Sequence, residues 1–176
     1  MSILSRRGPT PRALTRRRLL SGGAAAAGVA AVGVYASHAF GGSASTERFE
    51  VTHTDQEWRQ RLRPEQYAVL RQADTESPFT SPLNDEHRNG VFGCAGCELD
   101  LYSSRTKFDS GTGWPSFWQA LPDAVIRRTD LALIVPRTEV RCRRCGGHLG
   151  HVFDDGPKPT GLRYCMNGVG LTFRTV

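Results

Sequence analysis

Residues 139–154 read Glu-Val-Arg-Cys-Arg-Arg-Cys-Gly-Gly-His-Leu-Gly-His-Val-Phe-Asp: β-formers, a C-x-x-C turn, and β-formers again. Glu139–Cys142 and His151–Asp154 are short enough, and bounded well enough by glycine and aspartate, to be strands. Outward from them, Val125–Arg128, Leu131–Val135, Leu162–Asn167 and Leu171–Thr175 follow the same pattern. Upstream the pattern changes to helix. Asp55 is placed to cap a helix over Gln56–Leu62. Pro64 suits the first turn of a second helix reaching about Ala73, with Tyr67, Val69 and Leu70 on one face. Ser77-Pro78 and Ser81-Pro82 then force extended chain. Helices first and antiparallel strands afterwards predict a mainly β, α+β domain.

The length of 176 residues suits one such domain and excludes a large multidomain enzyme. The formal net charge of +6 does not point to nucleic acid. Residues 1–39 hold six arginines (Arg6, Arg7, Arg12, Arg16, Arg17, Arg18) and no acidic residue, which leaves 17 basic and 17 acidic side chains in the rest. The excess therefore belongs to the N-terminal segment, and no nucleic-acid partner is expected. That segment reads Thr15-Arg-Arg-Arg-Leu-Leu20, a small apolar run from Gly22 to Ala36, and small residues near Ala39. It has the form of a twin-arginine export signal. The alternative is a retained membrane anchor, because Leu19–Phe40 approaches the ~20 residues that span a bilayer. The chain thus divides into an export signal (1–39), a polar tether (40–51) and a domain (52–176), with the bacterial periplasm as its expected location and the membrane reached only through a retained signal.

Cys94-Ala-Gly-Cys97 and Cys142-Arg-Arg-Cys145 form two C-x-x-C knuckles, 44 residues apart. Each knuckle turns two sulfurs toward one point, and two of them supply the four thiolates of a tetrahedral zinc site. Two disulfides, or a thioredoxin-type redox pair, are the competing readings for an exported chain. The paired motif in a β-rich context favours structural zinc. Cys165 is then left over. A free cysteine is often simply buried. In Arg163-Tyr-Cys-Met-Asn167, however, a strand places Arg163, Cys165 and Asn167 on one face. A guanidinium beside a thiol favours the thiolate, and the amide offers donors to a polar substrate.

Three further features need a partner. His148 and His151 carry imidazoles, the side-chain type that titrates near neutral pH when unperturbed, and are either loop histidines satisfied by carbonyls or acid–base groups. Trp114, Phe117 and Trp118 lie in a Gly- and Pro-rich segment, as a small apolar cluster or as an aromatic wall for a sulfur-bearing group. Asp154-Asp155-Gly-Pro157 is a turn with a carboxylate able to orient a histidine.

These motifs resemble, in order, those of the B-type methionine-R-sulfoxide reductases. The likeness runs over residues 52–174 through Pro78-Phe-Thr80, both knuckles, Lys107-Phe-Asp-Ser-Gly-Thr-Gly-Trp-Pro-Ser-Phe117, His148-Leu-Gly-His-Val-Phe153, Asp155-Gly-Pro157, Pro159-Thr-Gly161 and Arg163-Tyr-Cys-Met-Asn167. The resemblance implies two antiparallel sheets behind short N-terminal helices, with zinc away from the active site. It assigns catalysis to Cys165, His151, His148 and Asn167. It assigns substrate contacts to Trp114, Phe117, Arg163 and Asp155, the last behind the histidines. The implied reaction reduces the R epimer of methionine sulfoxide, free or in oxidised proteins, through a cysteine sulfenic acid. A thioredoxin-like protein or a small thiol is the implied reductant. One departure stands out: Thr112 lies where many relatives carry a resolving cysteine. Two other classes stay open at this stage, a zinc-stabilised binding module and a thiol–disulfide oxidoreductase using the knuckles.

Overall fold

Helix α1 spans Asp55–Arg61 and is capped by Thr54, one residue earlier than the sequence suggests. Thr54 is extended and exchanges hydrogen bonds with Glu57 in a capping box. The Asp55 carboxylate is thereby left for Arg59 and for the Tyr67 hydroxyl. Helix α2 spans Pro64–Gln72 and stops at Ala73, whose left-handed backbone ends it. Tyr67, Val69 and Leu70 are buried as expected.

The computed structural model describes residues 47–131 and 135–176. The segment expected to be an export signal and most of the expected tether lie outside the described residues, as do residues 132–134 of the strand expected over Leu131–Val135. Among the described residues no helix is long and apolar enough to cross a membrane.

Among the described residues, nine strands make two antiparallel sheets. They are β1 (Gly90–Cys94), β2 (Asp100–Ser103), β3 (Lys107–Phe108), β4 (Ser116–Phe117), β5 (Val125–Asp130), β6 (Arg137–Cys142), β7 (His148–Phe153), β8 (Arg163–Met166) and β9 (Leu171–Thr175). One sheet has the order β2-β1-β9 and the other β3-β4-β8-β7-β6-β5. The two-sheet, mainly β expectation holds. The strand β7 starts at His148 rather than His151, because the knuckle turns the chain back within four residues of Cys142. Both ends of the six-stranded sheet resist further pairing, β3 by being two residues long and β5 by its charged Arg127, Arg128 and Asp130.

Between the sheets lies the core. Tyr102, fully buried, stacks on Phe117 at 4.3 Å between centroids and donates to Met166 Sδ at 3.0 Å. Burial pushes the Tyr102 phenol well above its ordinary pKa, so it stays a neutral donor. The last part of the tether also packs. Val51 N donates to Arg144 O, Glu50 pairs with Arg143, and the Phe49 ring lies over Gly146. A Cβ on Gly146 would sit 2.4 Å from that ring, and the residue is left-handed at φ 68°, so glycine is required twice over. The contact was not legible because it rests on one aromatic in a stretch without periodicity.

Candidate active site and metal centre

The two knuckles converge. The Sγ atoms of Cys94, Cys97, Cys142 and Cys145 all lie within 4.8 Å of one another. Cys94 and Cys145 are 3.7 Å apart and Cys97 and Cys142 are 3.5 Å apart, far beyond bonding distance, and all four are free thiols. Four sulfurs at about 2.3 Å from a tetrahedral ion would be roughly 3.8 Å apart, so the cluster fits a metal centre and not two disulfides. Cys94 ends β1 and Cys142 ends β6, so an ion here ties one sheet to the other.

Away from the cluster, Cys165 sits in the middle of β8. Its register partners are Ser116 on β4 and His151 on β7, which places all three side chains on one face. A hollow of about 130 Å³ opens over that face, lined by Thr75, Trp114, Arg137, Gly150, His151, Phe153, Cys165 and Asn167. Gly150 lets β7 approach β8 closely: a Cβ there would lie 2.2 Å from the Cys165 carbonyl oxygen. Trp114 is fixed by its indole N–H, which donates to Glu76 O at 2.9 Å. Asn167 is buried, accepts from Glu76 N at 2.9 Å and donates to Leu149 O at 3.1 Å. The same stretch of backbone therefore positions both the tryptophan and the amide.

Two of the expected site residues sit elsewhere. Phe117 is fully buried in the core, because alternation along β4 sends Ser116 to the Cys165 face and Phe117 to the other. Asp155 does not stand behind the histidines. It makes a bidentate pair with Arg163 at 2.8 Å for both bonds, and that pairing holds its carboxyl below the usual range. Arg163 also lies over the Phe153 ring, 4.4 Å from its centroid. Asp155 raises the Arg163 pKa most, with Cys165 adding a smaller share, so the guanidinium is near enough to feel the sulfur.

The carboxylates behind the imidazoles are Glu139 and Asp130. Glu139 Oε1 is 2.7 Å from His148 Nδ1, and this hydrogen bond lowers the Glu139 pKa. Asp130 Oδ2 is 2.9 Å from His151 Nε2 and 2.6 Å from Arg137 Nη2. Glu139 was within reach of the sequence, since it lies on the strand beside His148 and is the register partner of His151. Asp130 and Arg137 were not, because they meet only after β5 pairs with β6 end to end. The histidines are unequal. His151 lines the hollow, whereas His148 is buried behind it, the two ring centroids 5.4 Å apart.

The model of the SelR domain family matches residues 62–175, which include the cluster and the whole of the Cys165 hollow. The chain belongs to the SelR domain family. Its relatives carry one activity in their names. The peptide methionine sulfoxide reductase MsrB of Leifsonia xyli is 56% identical over 128 residues, covering 72% of this chain and 92% of that protein. The MsrB of Leptospira interrogans is 50% identical, covering 72% and 97%. That of Thiobacillus denitrificans is 56% identical, covering 68% and 92%. This SelR chain is accordingly a B-type peptide methionine sulfoxide reductase, and reduction of methionine sulfoxide in repair is its chemistry. The binding-module and thiol–disulfide oxidoreductase readings fall away.

Proposed function

We propose that the enzyme reduces the R epimer of methionine sulfoxide at Cys165, through a sulfenic acid. The observation that carries this reading is the placing of Cys165 and His151 as neighbours across β8 and β7 in a hollow whose other wall is Trp114. The Cys165 thiolate attacks the electrophilic sulfoxide sulfur. Protonated His151 delivers a proton to the sulfoxide oxygen, which otherwise leaves poorly. The oxygen passes to Cys165 as S–OH, the substrate sulfur is reduced by two electrons, and methionine departs. Trp114 holds the S-methyl group, Asn167 shapes the floor, and His148 braces His151 from behind. Attack from one side, a methyl wall on another and a proton donor on a third fix the chirality. In the mirror epimer the oxygen turns away from His151. Separated R and S epimers of a methionine sulfoxide peptide test this directly: R is consumed and S is left, and equal consumption would overturn the assignment.

Protonation sets the pH dependence. Burial lowers the His151 pKa below the ordinary histidine value, and the Asp130 hydrogen bond opposes that fall. Electrostatic interaction with Arg137 and His148 lowers it further. The imidazolium exists below its pKa, so the limb of the single-turnover profile that reports His151 falls as pH rises. Asp130→Asn removes the carboxylate charge that strengthens the opposing bond. A hydrogen bond to a charged group contributes about 1.5 kcal/mol or more, so the falling limb moves to lower pH by about one unit. A profile of Asp130→Asn that overlays the wild type would remove Asp130 from the proton donor's support.

Zinc is the metal proposed for the four-cysteine cluster, in a closed site that leaves no position for substrate. With those thiols held, an outside thiol, from a thioredoxin-like protein or a small molecule, condenses with the sulfenic acid and releases water. The substrate is free or protein-bound methionine sulfoxide. Export by a twin-arginine signal over residues 1–39, supported by the arginine pair before the apolar run, puts this repair in the periplasm.

A further inference from the structure

We propose that Thr112, backed by Ser110 and Ser116, is a reversible hydroxyl relay that supplies the Cys165 sulfur with a hydrogen-bond partner in either charge state. Resting on the reading of Cys165 as the nucleophile, the relay assigns a task to the position where this chain lacks a second thiol.

The geometry is continuous. Thr112 Oγ1 lies 3.6 Å from Cys165 Sγ, within reach for a bond to sulfur. Ser110 Oγ lies 2.8 Å from Thr112 Oγ1 and 2.7 Å from Ser116 Oγ. Ser116 Oγ, fully buried, lies 3.3 Å from the Trp114 carbonyl oxygen. Each hydroxyl has one proton to donate and lone pairs to accept. With Cys165 as a thiol, S–H donates to Thr112, Thr112 to Ser110, Ser110 to Ser116, and Ser116 to the Trp114 carbonyl. With Cys165 as a thiolate, the order reverses. Ser116 donates to Ser110, Ser110 to Thr112, and Thr112 to the sulfur. Only three hydroxyl protons rotate, and no heavy atom has to move. The carbonyl at the far end is what makes both directions possible, since it accepts the last proton in one and is released in the other. Strand pairing of Ser116 with Cys165 holds the two ends of the relay in register.

Thr112 touches the reacting sulfur and is a catalytic residue on this account, while Ser110 and Ser116 are positioning residues that act through it. The test uses the full-length, metal-loaded enzyme without sulfoxide. Iodoacetamide alkylation at neutral pH is followed by peptide mass spectrometry at Cys165. Loss of a hydrogen bond to the attacking sulfur costs about tenfold in rate, partly offset by the higher intrinsic reactivity of the unassisted sulfur. Thr112→Val should therefore alkylate about threefold more slowly. Thr112→Ser should restore the wild-type rate. Ser110→Ala should slow alkylation in the wild-type background and have no further effect beside Thr112→Val. Thr112→Val at the wild-type rate would overturn the relay, and so would Ser110→Ala slowing alkylation equally in both backgrounds. The assay reads the resting thiol alone, so its failure is separate from any failure of Cys165 as the nucleophile, which shows in turnover by Cys165→Ser.

Discussion

Cys142→Ser is expected to abolish metal binding and soluble, folded protein together. Cys142 is fully buried at the end of β6, and its partners in the cluster come from the end of β1, the turn after it, and its own knuckle. Leu70 of α2 packs over the same knuckles, within 3.5 Å of where a Cβ on Gly96 would lie and 3.1 Å of one on Gly147. An ion held there would join both sheets to the second helix. Structural zinc sites contribute on the order of 10–16 kcal/mol, as much as or more than the roughly 5–15 kcal/mol by which a domain is stable. A serine hydroxyl is a poor ligand and leaves three thiols, two of them buried, crowded together. Zinc content per chain, soluble yield and thermal unfolding check this, and prolonged chelation of the wild type should unfold it likewise. A folded, active, metal-free Cys142→Ser protein would refute it.

Cys165→Ser is expected to do the opposite: keep the fold and the metal, and lose turnover. The side chain is half-buried at the edge of the hollow, and oxygen in place of sulfur leaves its packing on Ser116 and His151 intact. A serine oxygen has no accessible higher oxidation state with which to take the substrate's oxygen, so no slower version of the same step remains. The rate should fall by about four orders of magnitude or more, the scale seen when an essential nucleophile is removed. Steady-state turnover with an excess dithiol, beside zinc content and circular dichroism, is the measurement. Retention of a rate within tenfold of the wild type would place the chemistry at a knuckle thiol.

How far the sequence carried this account depended on the range of each signal. The two helices, the knuckles and Cys165 were legible because each is encoded within a few residues: a proline at a helix start, two residues between cysteines, an unpaired fifth thiol. Period-two alternation also holds the error made at Phe117. Reading Ser116 toward Cys165 would have sent Phe117 to the core, but β4 is two residues long and its pairing with β8 had to be known first. The carboxylates failed for the same reason. Asp155, close in sequence to His151, is captured by Arg163 across the turn. Asp130, 21 residues away, reaches His151 because β6 brings the end of β5 beside β7. Sequence nearness misled where sheet register decided.

The central claim is that one thiol carries the oxygen and no internal disulfide follows. Metal-loaded wild-type enzyme should be given one equivalent of the R-sulfoxide peptide without reductant, then a dimedone-type trap, and its cysteines mapped by mass spectrometry. The account predicts a single adduct, at Cys165, with the metal retained and the four knuckle cysteines unmodified. A disulfide between Cys165 and a knuckle cysteine, with release of the metal and no trapped adduct, would contradict it.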